Sequence, residues 1–317
     1  MLRSVLALAT ALAVGAFGAP SVPVNLTVSD LVRAGNHLDM AQDTVTEWDG
    51  SLFAYQPGAL PVQLFRVRGV TTSRAVPTTT GEMDIMSREL FLYYPPGSDV
   101  LATTFVSPWD AKTYPVIHTQ NNPVYTVLPN TTYPGTNSGD VTTVTYSSTS
   151  SFLNPLNSDP ATQSILGPFS GNMTNITMLD TTTYTFPTSL LPAVGKPQSL
   201  PNVTISRTRV TPLLPFMGAD AETAAKTTLL FILTGRKVDE GIDGLSQTLQ
   251  DTMEDKKLWA FEDAPVSRDD AGSRSQKTAI NGTDEWKDFG TSNFFNAWRM
   301  NNSAAFPVSD IGDWCDA

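Results

Sequence analysis

The chain has 317 residues, 40% of them hydrophobic and 16% charged, enough apolar matter for one large core and too much for a disordered tail. Its 31 Asp+Glu against 20 Lys+Arg give a formal charge of -11, which repels phosphate backbones and anionic lipid and argues against a nucleic-acid partner. One cysteine excludes an intramolecular disulfide, and two histidines, His37 and His118, restrict metal sites and imidazole chemistry.

Residues 1–18 combine Arg3, an uncharged run from Val5 to Val14 and the small residues Gly15, Ala16 and Gly18, the pattern of a secretory signal peptide. The run is shorter than the roughly 20 apolar residues that cross a bilayer. A secreted protein is therefore expected, free of the membrane once the signal is cleaved. Asn-x-Ser/Thr sequons begin at Asn25, Asn130, Asn172, Asn175, Asn202, Asn281 and Asn301, which in an exported chain are glycosylation sites on surface loops. Cys315, close to the C-terminal end, reads as a free thiol or an intermolecular link rather than a nucleophile.

Residues 19–317 read as a single β-rich domain. Ser29 to Leu38 opens it with a short helix in which Ser29 is placed to cap and Leu31, Ala34 and Leu38 share a face, weakened by Gly35. Strand-length runs follow at Phe53 to Tyr55, Val62 to Val70, Ile85 to Tyr94, Val100 to Val106 and Tyr114 to Thr119, separated by Pro-Gly and Trp-Asp-Ala-Lys turns. Connections this short demand antiparallel neighbours, because a parallel crossover needs a dozen or more residues.

No Lys or Arg occurs between Lys112 and Lys196, and residues 129–186 are rich in Thr, Ser and Asn. They read as an insert, either flexible and O-glycosylated or, from the apolar residues in Val141 to Tyr146 and Ile176 to Phe186, irregular hairpins laid over the core. Strand character returns at Val203 to Val210 and at Thr227 to Thr234, the latter fitting a strand buried on both faces. Gly241 to Leu258 carries Ile242, Leu245, Leu249 and Met253 at helical spacing, and residues 264–317 form a charged, loop-like tail with aromatic anchors. The fold class expected is mainly β: an antiparallel meander closing into a barrel-like or strongly curved sheet, with a few short peripheral helices.

The nucleotide, esterase and zincin motifs are absent, so no cofactor is expected. Two histidines and a carboxylate would make a zinc site only if His37 and His118 converged, and no metal is expected. The richest constellation runs from Arg88 and Glu89 through Tyr94 and Trp109 to His118, Asn121 and Asn122. If neighbouring strands carry Glu89 and His118 on one face, a carboxylate beside an imidazole makes a general acid/base pair. The alternative is structural: Arg88 and Glu89 pair with each other, and His118 satisfies a buried backbone group. Arg207 and Arg209 share a parity, with Gly235-Arg236-Lys237 beyond them; such arginines either hold a ligand oxygen or pair with local acids.

The order and spacing of Leu64-Phe65-Arg66-Val67-Arg68-Gly69, Ser87-Arg88-Glu89 with Tyr93-Tyr94, Pro108-Trp109, Val116-Ile117-His118 with Asn121-Asn122-Pro123-Val124, Leu214-Pro215-Phe216-Met217 and Gly235-Arg236-Lys237 resemble the family called domain of unknown function 1838. The resemblance covers roughly residues 31–259. It leads one to expect Asn at the position of Ser107 and Asp at that of Asn122, so an acid/base role for such an Asp does not carry over. The family name implies no reaction.

Three functions stay open. The first is a cofactor-independent lyase or isomerase acting on a hydrophobic small molecule, with His118 as acid/base, Glu89 and Arg88 beside it, and Arg207, Arg209, Tyr94, Trp109, Asn121 and Asn122 binding the ligand. The others are a non-catalytic small-molecule carrier and a structural secreted glycoprotein.

Overall fold

A computed structural model describes residues 21–116, 118–153, 175–191, 198–214, 217, 221–256, 258, 261–267 and 270. Residues 1–18, where a signal peptide is expected, the sequons at Asn172, Asn281 and Asn301, and Cys315 lie outside the described residues.

Ten strands form one antiparallel sheet: β1 (Val22–Thr27), β2 (Thr44–Tyr55), β3 (Val62–Pro77), β4 (Met83–Tyr94), β7 (Thr119–Leu128), β8 (Thr132–Ser138), β9 (Val141–Leu153), β10 (Asn175–Pro187), β11 (Thr204–Thr211) and β12 (Thr228–Val238). Their order is β1-β8-β9-β10-β11-β12-β2-β3-β4-β7. Two short strands, β5 (Thr104–Val106) and β6 (Thr113–Pro115), pair with each other. Among the described residues there are three α-helices: α2 (Ala221–Lys226) and α3 (Gln247–Lys256) are peripheral as expected, whereas α1 (Val28–Gly35) is almost wholly buried, with Val28, Leu31, Val32 and Ala34 packed into the inward core.

The chain itself dictates the curl. β7 is tenth in the sheet and β8 second, so in a flat sheet they would stand about 38 Å apart at ordinary strand spacing. Only Pro129, Asn130 and Thr131 join Leu128 to Thr132, a connection that spans at most about 14 Å. The sheet has to bend until its two edges approach, and the result is a curled half-barrel. Tyr133 ties the connection down by donating its hydroxyl to the Pro129 carbonyl at 3.0 Å.

Glycines set where the bend falls. Trp48 of β2 has Gly69 of β3 on one side and Gly235 of β12 on the other. A Cβ on Gly235 would meet the Trp48 ring at 2.7 Å, and one on Gly69 would meet the Leu90 carbonyl oxygen at 2.3 Å. Missing side chains on the inward face let adjacent strands close on one another there, the usual use of glycine at a barrel corner.

Strand alternation divides the core in two. The inward parity carries Trp48, Leu52, Phe65, Val67, Phe91, Tyr93, Leu229, Phe231 and Leu233 in one apolar cluster. The opposite parity carries Val45, Val70, Leu90, Leu92 and Tyr94, which meet Leu245, Leu249 and Met253 on and beside α3. β4 is therefore the strand buried on both faces. β12, expected in that place, alternates instead, with Leu229, Phe231 and Leu233 buried and Ile232 exposed, because α3 covers β3 and β4 and leaves the outside of β12 open.

Further differences from the sequence reading have local causes. The helix cap is Thr27, two residues before Ser29, since Thr27 and Asp30 build a reciprocal box: the Asp30 amide donates to Thr27 Oγ1 and the Thr27 amide to the Asp30 carboxylate, each at 3.2 Å. Gly35 does not loosen the helix; it makes room for Tyr184, whose hydroxyl oxygen would lie 2.8 Å from a Cβ there. The Thr-rich stretch read as an insert supplies β8, β9 and β10, integral strands of the main sheet. Its outward hydroxyls pair across strands, as between Thr145 and Thr183 and between Ser147 and Thr181, both at 3.0 Å. Val100 to Val106 shrinks to β5, and β7 begins only at Thr119.

Gly69→Ala should lower the unfolding free energy by about 1–3 kcal/mol, read from the urea midpoint, because backbone on the facing strand has to give way. An unchanged midpoint would mean that the strands do not close at this point.

Candidate functional site

The inward parity of β11 presents Arg207 and Arg209, and that of β10 presents Asp180 directly opposite Arg209. β4 presents Glu89, four strands from β11. On a flat sheet β11 and β4 would be about 19 Å apart, beyond the joint reach of an arginine and a glutamate. In the curled sheet Arg207 Nη1 donates to Glu89 Oε1 at 2.9 Å. Arg207 Nε donates to Asp180 Oδ1 at 3.0 Å, so one guanidinium bridges both acids. Arg209 grips Asp180 through Nε at 2.9 Å and Nη2 at 3.0 Å, and its Nη2 stands 3.8 Å from Glu89 Oε2.

The quartet is electrically neutral and drawn inside: its side chains are 13% (Arg207), 10% (Arg209), 14% (Asp180) and 8% (Glu89) exposed, enough to touch the concave surface without facing bulk water. Aromatic rings frame it. The Arg207 guanidinium carbon lies 5.9 Å from the ring centres of both Trp48 and Phe91. The Trp48 indole N–H donates to Thr71 Oγ1 at 2.9 Å, which holds the ring plane in place.

Electrostatics follow from this geometry. Burial pushes the Glu89 carboxyl up, but Arg207 and Arg209 outweigh it and hold Glu89 below its ordinary 4.5. The same balance takes Asp180 from 3.8 to about 2. Arg207 loses by burial and gains more from the two acids, so its pKa is raised. Burial pushes the Tyr93 and Tyr184 phenols to about 12; Arg209 draws Tyr93 back and Arg207 draws Tyr184 back, which places both phenols within the field of the pair.

His118 joins this face through Tyr93. Its Nδ1 accepts the Tyr93 amide proton at 3.0 Å, and its ring stacks on the Tyr93 ring at 5.7 Å with 21° between planes. An acceptor Nδ1 places the proton of the neutral imidazole on Nε2. The Tyr93 hydroxyl meets Thr119 Oγ1 at 2.7 Å. His118 thus satisfies a buried backbone group, the structural alternative of the sequence reading, while Glu89 holds Arg207.

Arg88 requires a correction. Adjacent strand residues face opposite ways, so Arg88 cannot share a site with Glu89. It lies buried on the outward parity, where its guanidinium donates to the Asp263 carbonyl and pairs with Asp270 at 3.4 Å. Tyr94 is also outward, in the α3 cluster, with Arg68 over its ring at 5.5 Å, and does not reach the quartet. Trp109 packs half-buried against the inward core from the loop between β5 and β6. Asn121 sits across from Glu89 in the register, and Asn122 lies in the irregularity between β4 and β7; their side chains are outside the described set. His37 Nδ1 accepts the Asp39 amide in the turn after α1. Among the described residues no group of three His, Cys, Asp or Glu is placed to hold a metal ion. Asn25, Asn130 and Asn202 are exposed, and Asn175 begins β10.

Asp180, Trp48 and Phe91 escaped the sequence reading. Asp180 did carry a signal: it is a lone acid in an uncharged strand, at the parity of the apolar Tyr184 and Phe186.

The fold and site define a curled antiparallel half-barrel with a neutral, aromatic-framed charge quartet on its concave face. The chain belongs to the family described as Protein of unknown function (DUF1838), whose model matches residues 41–279, a span that includes all four charged residues. No curated protein and no solved structure matches the chain.

Both carboxyls titrate lower in the folded protein than in the unfolded chain, so their contribution is complete above about pH 5 and is lost as pH falls. For Asp180 the loss runs from its ordinary 3.8 down to about 2 and amounts to about 2 kcal/mol. Urea midpoints measured down this range should fall steeply in the natural protein and more gently in Asp180→Asn. Parallel curves would show that Asp180 is not held by the arginines.

Proposed function

We propose that this is an exported glycoprotein that binds a neutral, largely apolar small molecule on its concave face. In the finer reading it is a cofactor-independent lyase or isomerase of dehydration or cyclisation type. The carrying observation is the quartet. Burying two ion pairs is a weak route to stability, since apolar residues of similar volume commonly do as well. Fixed charges among aromatic rings, out of bulk water, are what orients a ligand and meets charge that develops on it.

Charge balance selects the ligand. Glu89 and Asp180 already neutralise Arg207 and Arg209, so a carboxylate or phosphate would have to compete with two fixed acids. A neutral carbonyl or hydroxyl compound meets no such barrier, and a carbonyl oxygen that becomes negative during reaction would strengthen its contact with Arg207 as it does so. In this reading the neutral His118 imidazole, held in the Nε2–H tautomer by the Tyr93 amide, polarises the substrate carbonyl by donating a hydrogen bond from Nε2. Exposure of Asn25, Asn130 and Asn202 supports the glycoprotein part.

A carrier is the second reading, favoured by the way the Tyr93 amide ties His118 into the packing. Incubating exported protein with extract of its own host, followed by mass spectrometry of bound and released compounds, separates the two. The enzyme reading predicts an altered neutral compound, formed at least about tenfold more slowly by His118→Ala. A compound recovered unchanged makes the protein a carrier; recovery of carboxylates or phosphates alone refutes the neutral-ligand claim, and a mass equal to the bare chain refutes glycosylation.

A further inference from the structure

A second chemical group occupies the inward parity at the other end of β12. Lys237 lies two inward positions beyond Leu233, the residue opposite Arg207, and faces Thr46 of β2. Among the described residues no carboxylate is in hydrogen-bond contact with its ammonium, and its partners there are neutral oxygens. Nζ donates to Ser199 Oγ at 2.8 Å and to the Arg33 carbonyl, in the last turn of α1, at 3.2 Å. Segment and helix are clamped together around it: the Leu200 amide donates to the same Arg33 carbonyl at 2.8 Å, and the Leu38 amide to the Gln198 carbonyl at 2.9 Å. The charged neighbours are Arg33, held by Asp30 at 3.1 Å, and Asp239.

We propose that Lys237 is a carbonyl-reactive amine, the position at which a small aldehyde or ketone forms an imine with this protein. Three features of the site carry the idea. The amine is half-buried, where its charged form is less well solvated than on the open surface; its contacts are oxygens that also tolerate the neutral amine, since a hydroxyl can donate where it had accepted; and a hydroxyl stands at bonding distance to move protons.

The step balances without a co-reactant. The Nζ lone pair attacks the carbonyl carbon, the π electrons pass to oxygen, and that oxygen is protonated. The carbinolamine then loses one water as the C=N bond forms, with Ser199 Oγ carrying a proton from nitrogen towards the departing oxygen. Burial, opposed by Asp239 and assisted by Arg33, lowers Lys237 to about 8. At neutral pH a sizeable fraction of this amine is uncharged, against about one part in a thousand for an ordinary lysine. Lys112 and Lys226, by contrast, are 74% and 62% exposed and paired with Asp110 and Glu222.

The test uses the folded full chain with propanal and cyanoborohydride near neutral pH, digestion, and rates of reductive alkylation at each lysine by mass spectrometry. Lys237 should be alkylated about tenfold or more faster than Lys112 and Lys226. Ser199→Ala should slow Lys237 several-fold while leaving Lys112 unchanged. Alkylation ordered by exposure, with Lys112 and Lys226 first, or alkylation of Lys237 only in denaturant, overturns the proposal. The comparison within the natural chain decides the matter whether or not a variant folds, and it does not depend on the concave-face ligand.

Discussion

One side chain sets the terms for the rest of the molecule. Arg207 leaves β11, passes over the inward faces of β12, β2 and β3, and reaches Glu89 on β4. That contact exists only because the sheet is curled, and the curl is forced by the three-residue link between its tenth and second strands. The path stays open because Trp48 has glycine on both neighbouring strands, so that its ring and Phe91 can lie beside the guanidinium. Topology, glycine placement and buried charge are thus consequences of one geometric requirement.

The same alternation that builds the quartet separates it from its sequence neighbours. Glu89 faces the quartet while Arg88 and Tyr94 face α3 and the segment beyond it. The motifs that carry the family resemblance fall around the quartet, with Gly69 and Glu89 on β3 and β4 and Gly235 on β12, and Arg207 and Asp180 approach from β11 and β10 respectively. The concave face therefore joins these motif segments to the Thr-rich part of the chain. That part is structural: it supplies the strand that carries Asp180 and closes the distance between the sheet edges.

Much of the architecture was legible because strand signals are local. Alternation, short turns and β-branched runs gave the antiparallel sheet and its curvature, and the shared parity of Arg207 and Arg209 placed both on one face. The pairing of Arg207 with Glu89 was not legible, because 118 residues separate them and only three-dimensional curvature joins them. Residues 129–186 misled because Thr and Ser belong equally to linkers and to strand surfaces; what distinguishes the two is cross-strand hydroxyl pairing, as between Thr145 and Thr183, which has no linear signature. Arg88 was grouped with Glu89 by proximity in sequence, although period-two geometry already sends adjacent residues to opposite faces. The apolar run of β12 looks doubly buried in sequence, because such a run does not reveal which part of a sheet a helix will cover.

The most direct measurement is a double-mutant cycle on Glu89 and Arg207, using Glu89→Gln, Arg207→Met and the pair, with unfolding free energies from urea titration near neutral pH. A cross-barrel contact between buried charges predicts a coupling of about 1.5–3 kcal/mol. Effects that add to within about 0.5 kcal/mol would mean that Arg207 does not reach Glu89 in solution, and the curled, charge-bridged concave face would not stand.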